Sequence, residues 1–191
     1  MIKFFRGSFD LVSRYNPETM NERHWLDRVI FLETIAGVPG MIAGMQRHLR
    51  SLRTLEPDNG WIHHLLQEAE NERMHLFIFL NLRNHGALFR LCIGIGQAVF
   101  FNLYFLMYMI SPKFSHRFVG YLEEEAVHTY TKCIEALDNG KLPLWKNKKA
   151  PEFAIEYYSL SEEENMREVL LNIRADEAIH RSINHHFSDI P

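Results

Sequence analysis

Two short words in this chain constrain its fold more than anything else in it. NERMHL at residues 71–76 and DEAIHR at 176–181 each set a glutamate and a histidine three positions apart, Glu72 with His75 and Glu177 with His180. Three positions is nearly one helical turn, so in a helix each word points a carboxylate and an imidazole the same way. If both words face inward, the fold must bring together two helices that lie far apart in the chain. The motif alone is common. A random order of the chain's 18 Glu and 11 His among 191 residues gives roughly one such pair, and a third match, Glu125 with His128, is present. Helical phase has to separate them.

Turn-forming clusters divide the chain at YNPET (15–19), EPDNG (56–60), NHG (84–86), SP (111–112) and DNGKLPLWKNKKAP (138–151). Apolar periodicity between them predicts helices over 20–54, 60–84, 87–110, 114–138 and 161–186, with shorter pieces at 2–14 and 150–159. The expected class is all-α, with one domain over 1–191. An apolar content of 47% excludes a disordered chain. A net charge of −3 leaves no general basic footprint, so no nucleic-acid partner is expected, although Arg47, Arg50 and Arg53 form a small cationic patch. Cys92 and Cys133 fit neither a metal spacing nor a disulfide framework. The opening MIKFFRGSFD has neither the apolar core of a secretory signal nor the pattern of a transit peptide, so it is not expected to be a targeting segment.

At about 100° per residue, Trp61, Leu65, Ala69, Leu76 and Phe79 share one face of the 60–84 helix, and Glu72 and His75 lie in that stripe. On the last helix Met166, Leu170, Ile173 and Asn184 do the same around Glu177 and His180. On the 114–138 helix the stripe runs through Val119, Ala126, Val127, Tyr130, Ile134 and Leu137 with Glu123 at its centre, while Glu125 and His128 fall on the other side. On the first long helix Glu33 lies in line with Leu26, Val29, Ala36, Gly37, Gly40 and Gly44, where an isolated carboxylate is costly to bury. The small residues there predict close helix approach.

Four helices therefore each present an inward acid, and two add an inward histidine. That is the ligand set of a ferritin-like four-helix bundle with a carboxylate-bridged di-iron or di-manganese centre. The oxygen and nitrogen donors suit iron or manganese, and two iron ions are the expected cofactor. Metal-bound histidines pass their second N–H to an orienting group. Asn71 and Asp176, each just before its glutamate, are the candidates.

LETIAGVPGM (32–41), AENERMHL (69–76), RFVGYLEEEAVHTY (117–130) and RADEAIHR (174–181) resemble the signature blocks of the alternative oxidases, the cyanide-insensitive quinol oxidases, over nearly the whole chain. The resemblance implies Glu33, Glu72, His75, Glu123, Glu177 and His180 as metal ligands, the same six that phase selects. It implies oxidation of ubiquinol to ubiquinone and reduction of dioxygen to water without proton pumping. It implies a role for Tyr130 near the irons as an electron or radical source. For quinol it implies Arg28, Leu32, Ala126 and Thr129 around the pocket and Arg6, Asp10 and His116 near its mouth, and Glu125, one helical turn before Thr129, is placed on the quinol side by its position. It also implies a homodimer, with MQRHLRSLR (45–53) on its face. A di-iron quinone-biosynthesis hydroxylase and a ferroxidase are the alternatives with the same ligands. Two departures stand out. Tyr158 occupies a position where some members carry Trp, and the segment that bears a regulatory cysteine in plant members is not in this sequence, so thiol regulation is not expected.

Leu91–Ile110 is apolar over a length that could cross a bilayer, with only Gln97 and Asn102 strongly polar. A crossing there would put Glu72 and His75 on one side and Glu123, Glu177 and His180 on the other. The segment is therefore expected to be buried or to lie in one leaflet, with Arg83, Arg90, Lys113, His116 and Arg117 at its ends. Residues 87–113 and the amphipathic 1–15 are the expected membrane contacts. A monotopic protein on a bacterial cytoplasmic or mitochondrial inner membrane follows.

Overall fold

The structure is a computed structural model and describes residues 15–190. The helix expected over 2–14, and with it Arg6 and Asp10, lies outside the described residues. Six helices follow in order: α1 (Glu22–Thr54), α2 (Trp61–Leu80), α3 (Ala87–Ile110), α4 (Pro112–Asp138), α5 (Glu152–Tyr158) and α6 (Met166–Asp189).

Local chemistry sets their ends. The Asn21 side chain accepts from the His24 amide at 3.1 Å to open α1, and Leu55 closes it in the left-handed conformation at φ 56°. Asp58 Oδ2 accepts from the Ile62 amide at 2.6 Å at the start of α2. Ser111 caps α4 through the Phe114 amide, with Pro112 in the first turn where its missing N–H costs nothing. Helix α6 begins at Met166, later than the sequence predicts. Ala150 and Glu164 share a backbone bond of 2.9 Å, and Met166 and Lys148 one of 3.0 Å, which pin 161–165 as a loop. Asn165 then caps α6 through the Arg167 amide at 2.8 Å.

The long helices form two pairs, α1 with α2 and α4 with α6, and each pair packs more closely within itself than against the other. In the first pair the backbones come very near: a Cβ on Gly40 would sit 2.5 Å from the Leu65 carbonyl oxygen, so only glycine fits there. In the second, Gly120 makes room for the His185 ring, which lies 2.7 Å from where a Cβ would be. The ring is fixed there by Glu124 at 3.1 Å and Arg117 at 3.0 Å.

Helix α3 lies across α1 and α4. Only Tyr104 and Tyr108 of it are buried. Its two strongly polar side chains are spent within the protein: Gln97 donates to the Thr34 carbonyl at 2.7 Å and Asn102 to the Ala98 carbonyl of its own helix at 2.8 Å. Its outer face shows Leu91, Ile95, Val99, Leu103, Leu106 and Ile110.

Two apolar clusters fill the bundle. One gathers Trp25, Ile30, Phe79, Ile134, Leu170 and Ile173; the other Ile42, Leu65, Tyr104, Val119 and Phe187. On all four long helices of the two pairs, the inward acid lies in sequence between the residues of one cluster and those of the other. A polar layer is thereby sealed between two hydrophobic ones.

Candidate metal centre

Glu33 of α1, Glu72 and His75 of α2, and Glu177 of α6 bring one ligand atom each to within 4.8 Å of one another. Glu72, Glu123 of α4, Glu177 and His180 do the same. Glu72 and Glu177 belong to both groups. The two groups thus share two carboxylates, and each adds one more glutamate and one histidine. All six residues are between 0% and 6% exposed, so whatever balances their charge has to lie inside the protein.

His75 Nδ1 is 3.5 Å from Glu33, 3.6 Å from Glu72 and 3.4 Å from Glu177. His180 Nδ1 is 2.8 Å from Glu72 and 3.6 Å from Glu177. These are ion-pair distances, yet Glu33 Oε2, both Glu72 oxygens, Glu177 Oε2 and the two Nδ1 atoms have no hydrogen-bond partner. Buried polar atoms are almost always partnered. Six orphans converging on one layer fit two divalent cations, whose charge equals that of the four carboxylates.

The proton affinities of the metal-free cluster carry the same message. Burial, reinforced by Glu72, drives Glu33 up to about 8. Burial, with Glu177 and Glu72, pushes Glu123 well above the carboxylate range. Burial opposes charge on His75, but Asp176, Glu177, Glu33 and Glu72 together hold it well above the usual imidazole value. Against the same opposition, Glu177 and Glu72 take His180 up to about 12. Burial would also raise Glu72, yet the two histidines hold it below its ordinary range. Protons occupy the cluster where positive charge is wanted.

Asp176 orients His75: its Oδ2 meets His75 Nε2 at 3.1 Å and also takes the Tyr158 hydroxyl at 2.7 Å and the Asn71 amide at 2.9 Å. Asn71 reaches neither histidine; it ties Asp176 to the Tyr157 hydroxyl at 2.8 Å. Tyr157 and Tyr158 both come from α5, which sequence reasoning had not connected to the site. The Tyr130 hydroxyl donates to Glu33 Oε1, and burial followed by the Glu33 charge keeps that phenol protonated well above its usual range.

Glu125 is half-buried and His128 exposed, and neither belongs to the cluster. Arg28 and Thr129 are buried, Leu32 and Ala126 half-buried. Arg28 and Leu32 flank Glu33 on α1, and Ala126 and Thr129 follow Glu123 on α4. The Arg28 guanidinium lies 3.9 Å from the centre of the Tyr15 ring. His116, expected near the pocket mouth with Arg6 and Asp10, is 1% exposed. Tyr108 meets its Nε2 at 3.1 Å and Asn184 its Nδ1 at 3.0 Å, while Trp61 and Phe187 pack against the ring. Burial, with Arg47 adding to it and Asn184 opposing, lowers it to about 4, so it is neutral near pH 7. Asn184 passes this line of contacts on to Glu68 at 2.8 Å. Glu68 is a buried acid that sequence reasoning missed. It stands one turn before Glu72 on the same face, and that spacing was its signal.

A model of the family described as Alternative oxidase matches residues 1–189. The chain is similar to the mitochondrial alternative oxidase of Monilinia fructicola, 58% identical over 91% of this chain and 49% of that protein. It is similar to that of Aspergillus niger, 50% identical over 96% of this chain and 56% of that protein. Against that of Neurospora crassa it is 52% identical over 94% of this chain and 52% of that protein. The chain spans about half the length of the curated relatives it matches.

Proposed function

The chain belongs to the alternative oxidase family, and on that premise we propose that it is a terminal quinol oxidase, taking electrons from ubiquinol to dioxygen without pumping protons. The observation that carries the reading is the overlap of the two four-residue groups at Glu72 and Glu177, with their orphaned donor atoms. Glu33, Glu72, His75, Glu123, Glu177 and His180 would together hold two iron ions. Iron bound there supplies the redox change that lets two-electron quinol oxidation serve four-electron reduction of dioxygen to water.

The protein's own part is placement and proton handling. Arg28, Leu32, Ala126 and Thr129 bind the quinol ring beside the metal layer, on the two helices that α3 covers. Glu125, next to that group, takes part in quinol binding and not in metal binding. Tyr130 sits against Glu33 where a phenol can deliver a hydrogen atom, and the apolar clusters above and below exclude bulk water. Asp176, held by Asn71 and Tyr158, fixes the ring orientation of His75.

Helix α3 rests in one leaflet, its leucine and isoleucine face against acyl chains and its basic flanks, Arg90 and Lys113, at one headgroup layer. The bundle is thus anchored on one face of a membrane, the mitochondrial inner membrane being favoured because the relatives are named mitochondrial, and pairs with a second copy through 45–53. Oxygen uptake by iron-loaded protein with a short-chain ubiquinol is the direct test. Uptake should continue when cyanide is present; a fully iron-loaded protein that consumes no oxygen with quinol would refute the assignment.

A further inference from the structure

All six proposed ligands are buried, so a cation needs a way in. Helix α3 covers the α1 and α4 side of the bundle and presents an apolar surface. A hydrated divalent cation that approached over the outer face of α3 would meet leucine, isoleucine and valine side chains in place of oxygen donors. On the opposite side α2 and α6 touch only lightly, and between them lies a cavity of about 500 Å³ whose wall includes His64, Glu68, Glu70, Asp176, Ile179 and His180.

This cavity runs from surface to ligand. His64, Glu70 and Ile179 are exposed at its rim, Ile179 by 55%. Asp176 is partly exposed, Glu68 only 4%, and His180 5%. Glu70 is paired with Arg73 on the surface, so the field inside the cleft comes mainly from the two deeper acids. Glu68 stands one helical turn before Glu72, a side-chain step of about 5–6 Å. Asn184 holds one Glu68 oxygen and also donates to the His180 carbonyl at 3.1 Å, which fixes the acid beside the ligand helix.

We propose that the cleft between α2 and α6 is the route by which divalent cations enter the centre from the aqueous side, with Glu68 as a transient carboxylate ligand one step before Glu72. This rests on the reading of the six buried residues as a two-cation site. A cation sheds its water in stages against Asp176 and Glu68 and never meets a purely apolar wall. The light contact between α2 and α6 leaves this cavity open, and tight packing there would close it.

The test is metal exchange followed spectroscopically with Co(II) on the whole metal-free chain. Ile179→Trp fills the mouth without altering a ligand. It should slow uptake, and chelator-driven release, by the same factor of about tenfold or more, leaving the equilibrium dissociation constant and the final two ions per chain unchanged. Glu68→Gln should slow uptake by about tenfold through loss of focused charge, again with the same final stoichiometry. Ile95→Trp, on the outer face of α3, is the control and should exchange as wild type does. Unaltered rates in both cleft variants, or equal slowing in the α3 control, would overturn the route. A lower final stoichiometry in Glu68→Gln would make it a permanent ligand and overturn the transient role. A wild-type chain that takes up no Co(II) would overturn the reading of the centre itself, and the route with it.

Discussion

Glu123 and Glu125 stand two residues apart on α4 and meet different surroundings. Glu123 faces Glu72, Glu177 and His180 in a buried layer; Glu125 is half-buried away from that cluster, and His128 is exposed. Replacing Glu123 by Ala removes a carboxylate that one cation position depends on. Iron content should fall below two per chain and quinol oxidation by about 100-fold or more, since even partners of ligands are worth that much. His128→Ala should keep iron and most activity. Iron analysis beside oxygen uptake decides the matter, and the reverse pattern would mean that the assigned ligand set is wrong. All six clustered residues were legible in the sequence because helical phase is a local, one-dimensional property. Asp176 was legible as an orienting group, but not as the partner of a histidine on another helix. Tyr158 was not, because its place depends on how the 139–151 loop returns α5 against α2. Glu68 sat unnoticed in QEAENE, where a run of polar letters looks like a solvated face.

At the scale of elements, helix existence was readable from periodicity and helix ends less so. Ser161 and Asn165 both look like caps, and the backbone pairing of 148–150 with 164–166, a contact outside either segment, selects Asn165. Helix α2 stops at Leu80, short of the residue 84 that the sequence predicts, because the Leu82 and Arg83 amides turn back to Phe79 and Leu80. Helix α3 posed the harder question, since length and hydropathy alone allow it to cross a membrane. Its contacts with both α1 and α4 tie its two ends to a single bundle whose centre draws on helices before and after it. Leu88 and Lys113, exposed at either end, are suitable labelling positions once the exposed Cys92 is replaced. Cysteines placed at 88 and at 113 should both react with an impermeant thiol reagent from the same side of sealed vesicles. Reaction from opposite sides would require a span and would break the proposed one-leaflet topology.

For the whole molecule, the centre joins two helix pairs that otherwise touch lightly, so its charge state sets how firmly they hold. Without metal, Glu33 has a folded value of about 8 against an unfolded value of 4.5. A raised acid contributes stability at low pH that is lost as pH climbs through that window. Glu123 is shifted the same way, and Glu68, raised to about 7 mainly by burial, follows it. His180, at about 12, and His75 contribute stability that is complete below 6.5 and fades as pH rises toward their folded values. Glu72 and Asp176, both lowered, run the other way, losing their contribution as pH falls below the ordinary carboxylate range. The raised groups outnumber them, so the metal-free protein should be less stable at pH 8.5 than at pH 6, by a few kcal/mol, or a Tm lower by about 5–10 °C. Cations replace these protons when they bind, so uptake at pH 7 should release roughly two to four protons per chain and tighten as pH rises. The metal-loaded protein should then reverse the trend and be the more stable form at pH 8.5. Calorimetric melting of both forms across that range, with titration in two buffers of different ionisation enthalpy, measures both effects. Equal pH profiles for the two forms, or uptake without proton release, would show that the buried layer is not held together by exchange of protons for metal.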